Sequence, residues 1–433
     1  MRSKLLRRIF SLVLLFCFAG AHSVPADPLY FSDPQDDVRA LIDLMAQRLA
    51  LMPDVAAWKY ANNKPVTDAV REAQVLSATI AQAQALGIYA ASARGLFELQ
   101  IQLASRIQEQ AIAQWRATQT HPSVVRDLQQ ELRPELDRIG KQLLVQIYLA
   151  LPELQRADFP DRFGSQAKAL RRDSDASFLT DEDARALIAK LAQVRRSGAP
   201  SLDQIRTSGV LRVGTTGDYA PFSADTQGQL TGADIALAVS LAQTLGVRVR
   251  FVRTSWPTLM QDYRENDFDI AMSGISVTDD RSREASFSVP YHQGGKTPIV
   301  RCGTEARFDT LAEIDRPKTR VIVNPGGTNE AFAREHFTHA QLRVHPDNRT
   351  IFQEIAQDRA DVMITDDLEV DLQTHRLKQL CRATTDTFTH SDKAMLLSKD
   401  PLLKQSVDAW LKTQLDSGEV RRAIDTAMRD PAP

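Results

Sequence analysis

The chain lacks several features that would narrow its chemistry at once. Its 433 residues include three cysteines and eight histidines, with no HExxH or CxxC motif, so a catalytic metal is not expected. Its formal net charge of -2 provides no basic surface for nucleic acid. Beyond the first residues, no apolar run is long enough to cross a bilayer. What remains is an ordinary globular composition, whose length predicts two or three domains at about 150 residues each.

The first residues, MRSKLLRRIFSLVLLFCFAGAHS, place cations before an apolar run and small residues, the order of a secretory signal peptide. Cleavage is expected after Ala21, which makes residues 1–21 the signal and the mature protein periplasmic or secreted. A membrane anchor is the alternative, but the apolar run is short for a span. Removal of Cys17 leaves Cys302 and Cys381, which are expected to form a disulfide in an oxidising compartment; two free buried thiols are the alternative.

The two parts of the mature chain differ in periodicity. Residues 33–197 carry apolar residues at spacings of three and four in segments such as ARGLFELQIQLASRIQEQAIAQW, which predicts an all-α bundle. Residues 201–433 alternate short β-rich runs, such as TRVIVNPGG and ADVMITDD, with helices such as GADIALAVSLAQTLG. That alternation predicts an α/β domain. The expected fold class is therefore multidomain, with a boundary near Gly198.

The spacing of two cations in the helical half predicts that they lie close together. Arg48 and Lys59 are eleven residues apart, about three helical turns, so they are expected on one side of a helix. Solvated surface cations are the alternative. The segments QRLALMPDVAAWKYANNKPVTDAVREAQVL and LFELQIQLASRIQEQ resemble the all-helical chorismate mutases, particularly their exported subclass.

This resemblance implies a site for a dicarboxylate. Arg48 and Arg71 are implied to bind the two carboxylates of chorismate, and Lys59 with Gln108 to act on its ether oxygen. The rearrangement to prephenate needs neither nucleophile nor proton transfer, so fixed donors placed where negative charge grows are sufficient. Because Gln108 does not ionise, mutase turnover is expected to vary little from about pH 5 to 8.

Other contacts and an assembly are implied by the same family. Asp68 and Glu72 match residues that bind the substrate hydroxyl in some members. A further carboxylate-binding residue is expected in LDRIGKQLL, where Lys141 is selected and Arg138 and Gln142 are alternatives. Relatives of this half are dimeric, so a homodimer through it is expected.

Residues 201–433 have the element order of a periplasmic solute-binding protein, with two lobes and crossovers expected near residues 300 and 392. GVLRVGTTGDYAPFS, GADIALAVSLAQTLG and DDRSREASFSVPY resemble the amino-acid receptors of that class. In those receptors the residue matching Arg281 binds a ligand carboxylate and the one matching Asp366 binds its ammonium group. An amino-acid receptor with a helical accessory domain is therefore the alternative to an enzyme.

A more specific resemblance covers the same half. TSWPTLMQDYRENDFDIAMSGIS, GGKTPIV, VIVNPGGTNEAFAR, VHPDN and TDDLEV together resemble cyclohexadienyl dehydratase, an exported enzyme that aromatises prephenate and arogenate. The resemblance makes Glu369 the general acid and Lys296 a second catalytic residue. The other residues expected near the substrate are Asp218, Tyr219, Trp256, Arg281, Asn324, Thr328 and Asp366.

The chemistry of prephenate explains why Glu369 is needed. The ring must lose its hydroxyl and its carboxylate together, and hydroxide leaves only when an acid protonates it. A Glu with a reference pKa of ~4.3 is ionised at neutral pH, so burial must favour its neutral form. Lys296 and Arg281 are expected to hold substrate carboxylates. Asp366 is expected to receive arogenate's amine or to cap the helix, and Asp367 to face solvent.

The two resemblances imply consecutive steps in one exported enzyme. Chorismate becomes prephenate, and prephenate becomes phenylpyruvate with loss of CO2 and water; arogenate giving phenylalanine is a second expected reaction. No cofactor is implied. A mutase whose second half only captures product is a further alternative. Dehydratase relatives form trimers, so an assembly larger than a dimer stays open.

Overall fold

The computed structural model describes residues 29–170 and 178–429. The predicted signal peptide, residues 1–21, lies outside these ranges. Among the helices of the described ranges, none is both long and apolar enough to cross a membrane.

The first half is built from long helices, as its periodicity predicts. Pro53 has no N–H to donate and sits in the first turn of a new helix, which separates the first two helices. The helices bury one apolar face each in a shared core. Their bounds are α1 (Pro34–Ala50), α2 (Met52–Ala61), α3 (Ala69–Ala85), α4 (Ala90–Thr118), α5 (Arg133–Leu154), α6 (Phe159–Phe163) and α7 (Asp181–Leu191), with a π-helical turn at Leu128–Leu132 and a 3-10 segment at Gly164–Leu170.

The second half alternates strands and helices. Its strands are β1 (Val210–Thr215), β2 (Asp218–Tyr219), β3 (Ser223–Thr226), β4 (Gln229–Thr231), β5 (Arg248–Arg253), β6 (Ile270–Ala271), β7 (Ser286–Phe287), β8 (His292–Gly294), β9 (Lys296–Arg301), β10 (Arg320–Val323), β11 (Gln341–Val344), β12 (Val362–Asp366), β13 (Leu380–Arg382), β14 (Ser391–Lys393) and β15 (Leu396–Leu397). Its helices are α8 (Leu202–Ser208), α9 (Ala233–Leu245), α10 (Leu259–Glu265), α11 (Asp279–Glu284), α12 (Leu311–Ile314), α13 (Thr328–His336), α14 (Ile351–Ala356), α15 (Asp367–Arg376), α16 (Pro401–Asp416) and α17 (Glu419–Arg429), with a 3-10 turn at Glu305–Arg307.

Two five-stranded sheets define two lobes, with orders β5-β1-β6-β15-β7 and β11-β10-β12-β9-β13. The chain passes between them twice, and the two passages pair as a ribbon of β8 with β14. In the second lobe β9 runs antiparallel to β12, which sets Lys296 opposite Asp366 at the end of β12. This edge of the sheet faces the cleft, where α/β folds bind their ligands.

The helical half contacts the first lobe through buried polar groups. The Tyr148 hydroxyl, on α5, donates to Asp269 Oδ1 at 3.0 Å, and Arg212 Nη2 lies 2.6 Å from the same oxygen. A second contact joins Arg250 Nη1 to Asp37 Oδ1 at 2.6 Å. The mutase-like bundle and the first lobe are therefore held together by charge-assisted hydrogen bonds.

The second lobe carries the predicted disulfide. Cys302 follows β9 and Cys381 lies in β13, the neighbouring strand, and the two sulfurs are bonded. The prediction of a disulfide is confirmed. Among the described residues, Cys302, Glu305 and Cys381 are the one group with spacing suited to a metal ion. Because both thiols are consumed in the disulfide, that group is not a thiolate metal site.

Candidate active sites

A cavity of about 650 Å³ opens in the helical half between α2, α3, α4 and the start of α5. The structure brings to its wall every residue that the resemblance implies to contact chorismate. These are Arg48, Lys59, Asp68, Arg71, Glu72, Gln108 and Lys141.

Arg48 is the cation in this cavity with an unmet bonding capacity. Its Nη1 atom is buried and has no hydrogen-bond partner among the described residues. Burial lowers the pKa of its guanidinium. An unpaired buried charge is costly, and a ligand carboxylate would relieve that cost.

Lys59 and Gln108 are held by the backbone. Lys59 Nζ donates to the carbonyl of Val66 at 2.6 Å, and burial lowers the pKa of this ammonium group although Glu72 and Asp68 act against the shift. Gln108 is buried, and its Nε2 donates to the Ala104 carbonyl at 3.0 Å. Nε2 carries a second proton, whose partner is the weak acceptor Met52 Sδ at 3.7 Å. A ligand oxygen would be a better acceptor for that proton.

Asp68 and Glu72 have a structural role at the start of α3. Asp68 is the N-cap residue, and its Oδ1 accepts from the Arg71 N–H at 3.0 Å. Glu72 Oε1 accepts from the Asp68 N–H at 3.4 Å. Their carboxylates are thus fixed at the cavity wall by the helix that they cap.

Arg133 also lines this cavity, and the sequence reasoning missed it. It is the first residue of α5 and donates to Gln129 Oε1 at 2.5 Å. Its charge is close enough to lower the pKa of Lys59. The predicted late carboxylate ligand was placed in LDRIGKQLL, which begins three residues after Arg133. Of the alternatives considered there, Arg138 donates to Gln142 on the exposed face.

The second site is a small space of about 20 Å³ between the two lobes. A space of this size holds about one water molecule, so a substrate enters only after the lobes separate. Of the residues predicted for this site, six line it, namely Tyr219, Trp256, Arg281, Asn324, Thr328 and Asp366, whereas Lys296, Asp218 and Glu369 do not. Lys393, which was not among the predicted residues, lines it as well.

Asp366 is engaged by two cations at once. Its Oδ1 accepts from Lys296 Nζ at 2.8 Å, and its Oδ2 accepts from Lys393 Nζ at 2.5 Å. The Tyr219 hydroxyl donates to Oδ2 as well. Burial raises the pKa of Asp366, but the two ammonium groups outweigh burial and hold it well below its usual range. Asp366 occupies the N-cap position of α15, but its side chain makes no hydrogen bond to the N-terminus of that helix.

The cations of this cleft outnumber its anion. Lys296 Nζ also donates to Thr328 Oγ1 at 3.0 Å and to Asn329 Oδ1. Arg281 Nη1 donates to the Ser276 carbonyl at 2.9 Å, and burial lowers the pKa of its guanidinium to about 10. Counted formally, Lys296, Lys393 and Arg281 against the single carboxylate of Asp366 give an excess of two positive charges.

Glu369 lies in the first turn of α15 with 2% of its surface exposed. Its Oε2 accepts from Thr365 Oγ1 at 2.5 Å. Burial raises the pKa of its carboxyl to about 8, and the neighbouring Asp366 charge acts in the same direction. Glu369 is therefore mostly protonated at pH 7, as a general acid must be.

Trp256 lines the cleft, and it is hydrogen-bonded to Asp218, which lines a neighbouring cavity instead. Trp256 Nε1 donates to Asp218 Oδ1 at 3.1 Å, and the Trp256 ring meets that of Tyr219 edge-on at 5.5 Å. Burial raises the pKa of Asp218. Asn324 Oδ1 accepts from Asn329 Nδ2 at 2.9 Å.

Asp367 is not the solvated residue that was expected. It is half-buried, and its Oδ1 accepts from the Leu368 N–H at 2.9 Å and from the Gly295 N–H at 3.4 Å. The reason is the β9 connection, which passes over the start of α15 and shields this side chain.

Comparison with known proteins identifies both halves. The family described as Bacterial extracellular solute-binding proteins, family 3, matches residues 211–428. Chorismate mutase type II matches residues 39–109. The chain is 48% identical over 245 residues to the cyclohexadienyl dehydratase of Pseudomonas aeruginosa, an alignment covering 56% of this chain and 91% of that protein. It is 27% identical over 235 residues to the L-cystine-binding protein TcyJ of Escherichia coli, covering 53% and 87% respectively.

Solved structures resemble the second half. An amino acid ABC transporter substrate-binding protein, AbpA from Streptococcus pneumoniae, bound to L-arginine, is 25% identical with a TM-score of 0.50 and covers 53% of this chain and 98% of its own. The ancestral amino acid-binding protein AncCDT-1, described as a precursor of cyclohexadienyl dehydratase, is 35% identical with a TM-score of 0.49, covering 52% and 99%. The predicted fold class, a helical bundle followed by a binding-protein-like α/β domain, is confirmed.

Proposed function

The chain belongs to the bacterial extracellular solute-binding proteins of family 3 and carries a chorismate mutase type II region before that domain, and from this premise we propose a bifunctional enzyme. Its helical half isomerises chorismate to prephenate. Its α/β half dehydrates and decarboxylates prephenate to phenylpyruvate. The second activity is carried over from the relative named cyclohexadienyl dehydratase.

In the mutase step the protein supplies position and charge. Arg48, Arg71 and either Lys141 or Arg133 hold the two carboxylates in the compact conformer. Lys59 and the second N–H of Gln108 stabilise the ether oxygen as its bond to carbon breaks. The unpaired Nη1 of Arg48 and the weak contact of Gln108 with Met52 support these roles, because a ligand would satisfy both.

In the dehydratase step Glu369 supplies the proton. The bond between the ring and its carboxylate breaks, and its electron pair enters the ring as CO2 leaves. The ring expels its hydroxyl group, which takes the Glu369 proton and departs as water. Lys296 and Arg281 hold the carboxylates of the substrate during this step, and closure of the lobes excludes bulk water.

The charge of the cleft favours prephenate over arogenate. Prephenate carries two negative charges, which match the excess of two positive charges left by Lys296, Lys393 and Arg281 against Asp366. Arogenate adds an ammonium group, and the carboxylate expected to receive it is already bonded to two cations. We propose that arogenate is a second, poorer substrate that yields phenylalanine.

The observation that most strongly supports the dehydratase activity is the burial of Glu369 together with its raised pKa. A receptor that only binds and releases its ligand needs no neutral carboxylic acid beside a cationic cluster. Desolvating Glu369 lowers the stability of the fold at neutral pH relative to a solvated carboxylate, and proton donation is the function that explains it.

Export and assembly belong to the same proposal. We propose a signal peptide at residues 1–21, a mutase domain at 33–197 and a dehydratase domain at 201–433, with the mature enzyme in the periplasm or secreted. We propose a homodimer through the mutase domain, or a larger assembly through the dehydratase domain, from the oligomeric states of the two families.

The test is a single incubation of the purified protein with chorismate. The proposal predicts transient prephenate followed by phenylpyruvate, both followed by absorbance and chromatography. Accumulation of prephenate alone would indicate a mutase whose second half captures product. Chorismate left intact, together with tight reversible binding of an amino acid, would indicate a receptor with an accessory domain.

A further inference from the structure

Each dehydratase turnover consumes one proton, a consequence that rests on the function proposed above. Prephenate dianion and one proton yield phenylpyruvate monoanion, CO2 and water. The proton leaves Glu369 with the departing hydroxyl, so the side chain is a carboxylate when the products form. A proton must return to Glu369 from solvent before the next turnover.

In the closed structure Glu369 does not line the 20 Å³ cleft, so the cleft must widen toward its carboxyl group when substrate binds. Glu369 lines a separate cavity of about 390 Å³. The cavity is walled on one side by first-lobe residues 217–226 and on the other by second-lobe residues of 348–377. Its wall includes Arg349 and Gln353, which are both exposed, so the cavity reaches solvent.

The hydrogen bonds behind Glu369 have a fixed direction. Lys296 Nζ is a donor only, so Asn329 must turn its Oδ1 toward it. Asn329 Nδ2 therefore donates to Thr365 Oγ1, at 3.0 Å. Thr365 has one hydroxyl proton and gives it to Glu369 Oε2. The acid proton of neutral Glu369 consequently sits on Oε1, the oxygen that Thr365 leaves free.

A cation lies near the carboxylate that Glu369 becomes after it donates its proton. Arg376 follows Glu369 by two helical turns on α15, lines the same cavity and interacts electrostatically with Glu369. The other charged or titratable groups that act on Glu369 are Lys296 on β9, Asp366 on β12, and Asp218 and Tyr219 on β2. Arg376 belongs to the wall of the solvent-connected cavity, whereas Lys296 is committed to Asp366, Thr328 and Asn329.

We propose that the 390 Å³ cavity is the path by which solvent returns the proton to Glu369 Oε1 while the lobes stay closed. Arg376 is a positioning residue in this path, because its charge holds the carboxylate toward the cavity until the proton arrives. The substrate enters through lobe opening, and the proton travels by a different route. Substrate entry and proton return therefore take place at different openings of the protein.

The test blocks the cavity without touching the cleft. Gln373 lies one turn after Glu369 and lines the cavity, so Gln373→Trp fills the space outside the acid. His375 is exposed on the same helix and does not line the cavity, and His375→Trp is the matched control. Thr226→Trp blocks from the opposite lobe and replaces the first variant if that variant does not fold.

Rapid-quench kinetics with prephenate at pH 7 separate the two steps. For Gln373→Trp we expect one phenylpyruvate per site to form at the parental rate, followed by steady-state turnover at least tenfold slower. The solvent deuterium isotope effect on the slow phase should exceed that of the parent, because product release does not involve proton transfer. His375→Trp should behave as the parent in both phases.

Two results would overturn the path. Equal loss of the first turnover and the steady state would mean that the indole disturbs the cleft itself. Parental steady-state turnover in both blocking variants would mean that the proton returns when the lobes open. A parent protein that forms no phenylpyruvate would contradict the dehydratase function and not the path, so the two failures are distinguishable.

Discussion

The cavity in the helical half is wide and presents a buried guanidinium nitrogen without a partner among the described residues. The cleft in the α/β half is nearly filled, and each of its three cations donates a hydrogen bond to another group of the protein. The first site is prepared for an anion and needs no proton. The polar groups of the second site are hydrogen-bonded to one another, and the two lobes must separate to admit a ligand. The difference follows from the chemistry: a rearrangement needs fixed charge, and an elimination needs an acid kept neutral.

The difference also shows how a receptor fold acquires chemistry. Three cations and Asp366 form a ligand-binding charge cluster that a receptor could use. In the function proposed here Glu369 adds a proton donor, which accepts a hydrogen bond from Thr365, four residues earlier. The scaffold contributes burial, which is the largest cause of the raised pKa of Glu369, and the charge of Asp366 acts in the same direction.

The largest expected effect separates the halves completely. Glu369→Gln keeps the shape of the side chain but has no acid proton, so prephenate dehydration should fall by about 10³-fold or more. Mutase turnover and prephenate affinity should stay within twofold of the parent, because neither uses that proton. Both activities are measured by absorbance on one preparation. Asp367→Asn, its half-buried neighbour, is the control and should leave both activities in place.

A substitution in the helical half should lower the mutase activity and leave the dehydratase activity unchanged. Arg48→Ala removes the cation whose Nη1 lacks a partner, and mutase kcat/KM should fall by about 100-fold, as for loss of a charge-assisted hydrogen bond. Dehydratase turnover of added prephenate should not change. Arg94→Ala removes an exposed arginine of α4 that pairs loosely with Glu98, and serves as the control. A mutase unaffected by Arg48→Ala would contradict the carboxylate assignment.

A pH series should divide the activities without any substitution. The acid form of Glu369 is fully present below its pKa and is lost above it, so dehydratase kcat should be level at pH 6 to 7 and decline by about tenfold per unit above pH 8. Mutase turnover should vary little from about pH 5 to 8, since Gln108 does not titrate. Parallel profiles for both steps would remove this distinction.

The smallest expected effect is on the contact between the halves. Tyr148→Phe deletes a buried hydrogen bond to Asp269 and should lower the free energy of unfolding by about 1–3 kcal/mol. Both activities should persist, because neither site uses this hydroxyl. Chemical denaturation followed by fluorescence measures the change. Tyr89→Phe, at an exposed tyrosine, is the matched control and should be neutral.

Local patterns predicted much of the fold. Apolar spacing gave the helices of the first half, and alternating β-rich runs gave the lobes of the second. The disulfide followed from the count of cysteines and the inferred compartment. The proximity of Arg48 to Lys59 was also within reach of sequence reasoning, although the expected single helix is wrong, because Arg48 lies on α1 and Lys59 on α2. So was the proximity of Asp366 to Glu369, at the end of β12 and the start of α15.

Contacts between segments that are distant in the sequence could not be predicted from local patterns. Lys393 meets Asp366 because the second crossover closes over the end of β12, and no local pattern reveals that distance. Arg133 was missed because its cavity forms only when α5 starts beside α2 and α3. Asp367 was assigned to solvent because its neighbours in sequence are polar, whereas the β9 connection that covers it lies about 70 residues earlier in the chain.

The charge state of Glu369 can be read directly by infrared difference spectroscopy. The spectrum of the parent minus that of Glu369→Gln should contain the carbonyl stretch of a protonated carboxylic acid at pH 7, and this band should give way to carboxylate bands as the pH rises through about 8. If the side chain already gives only carboxylate bands at pH 7, with and without bound product, then the buried neutral acid on which the second activity depends does not exist.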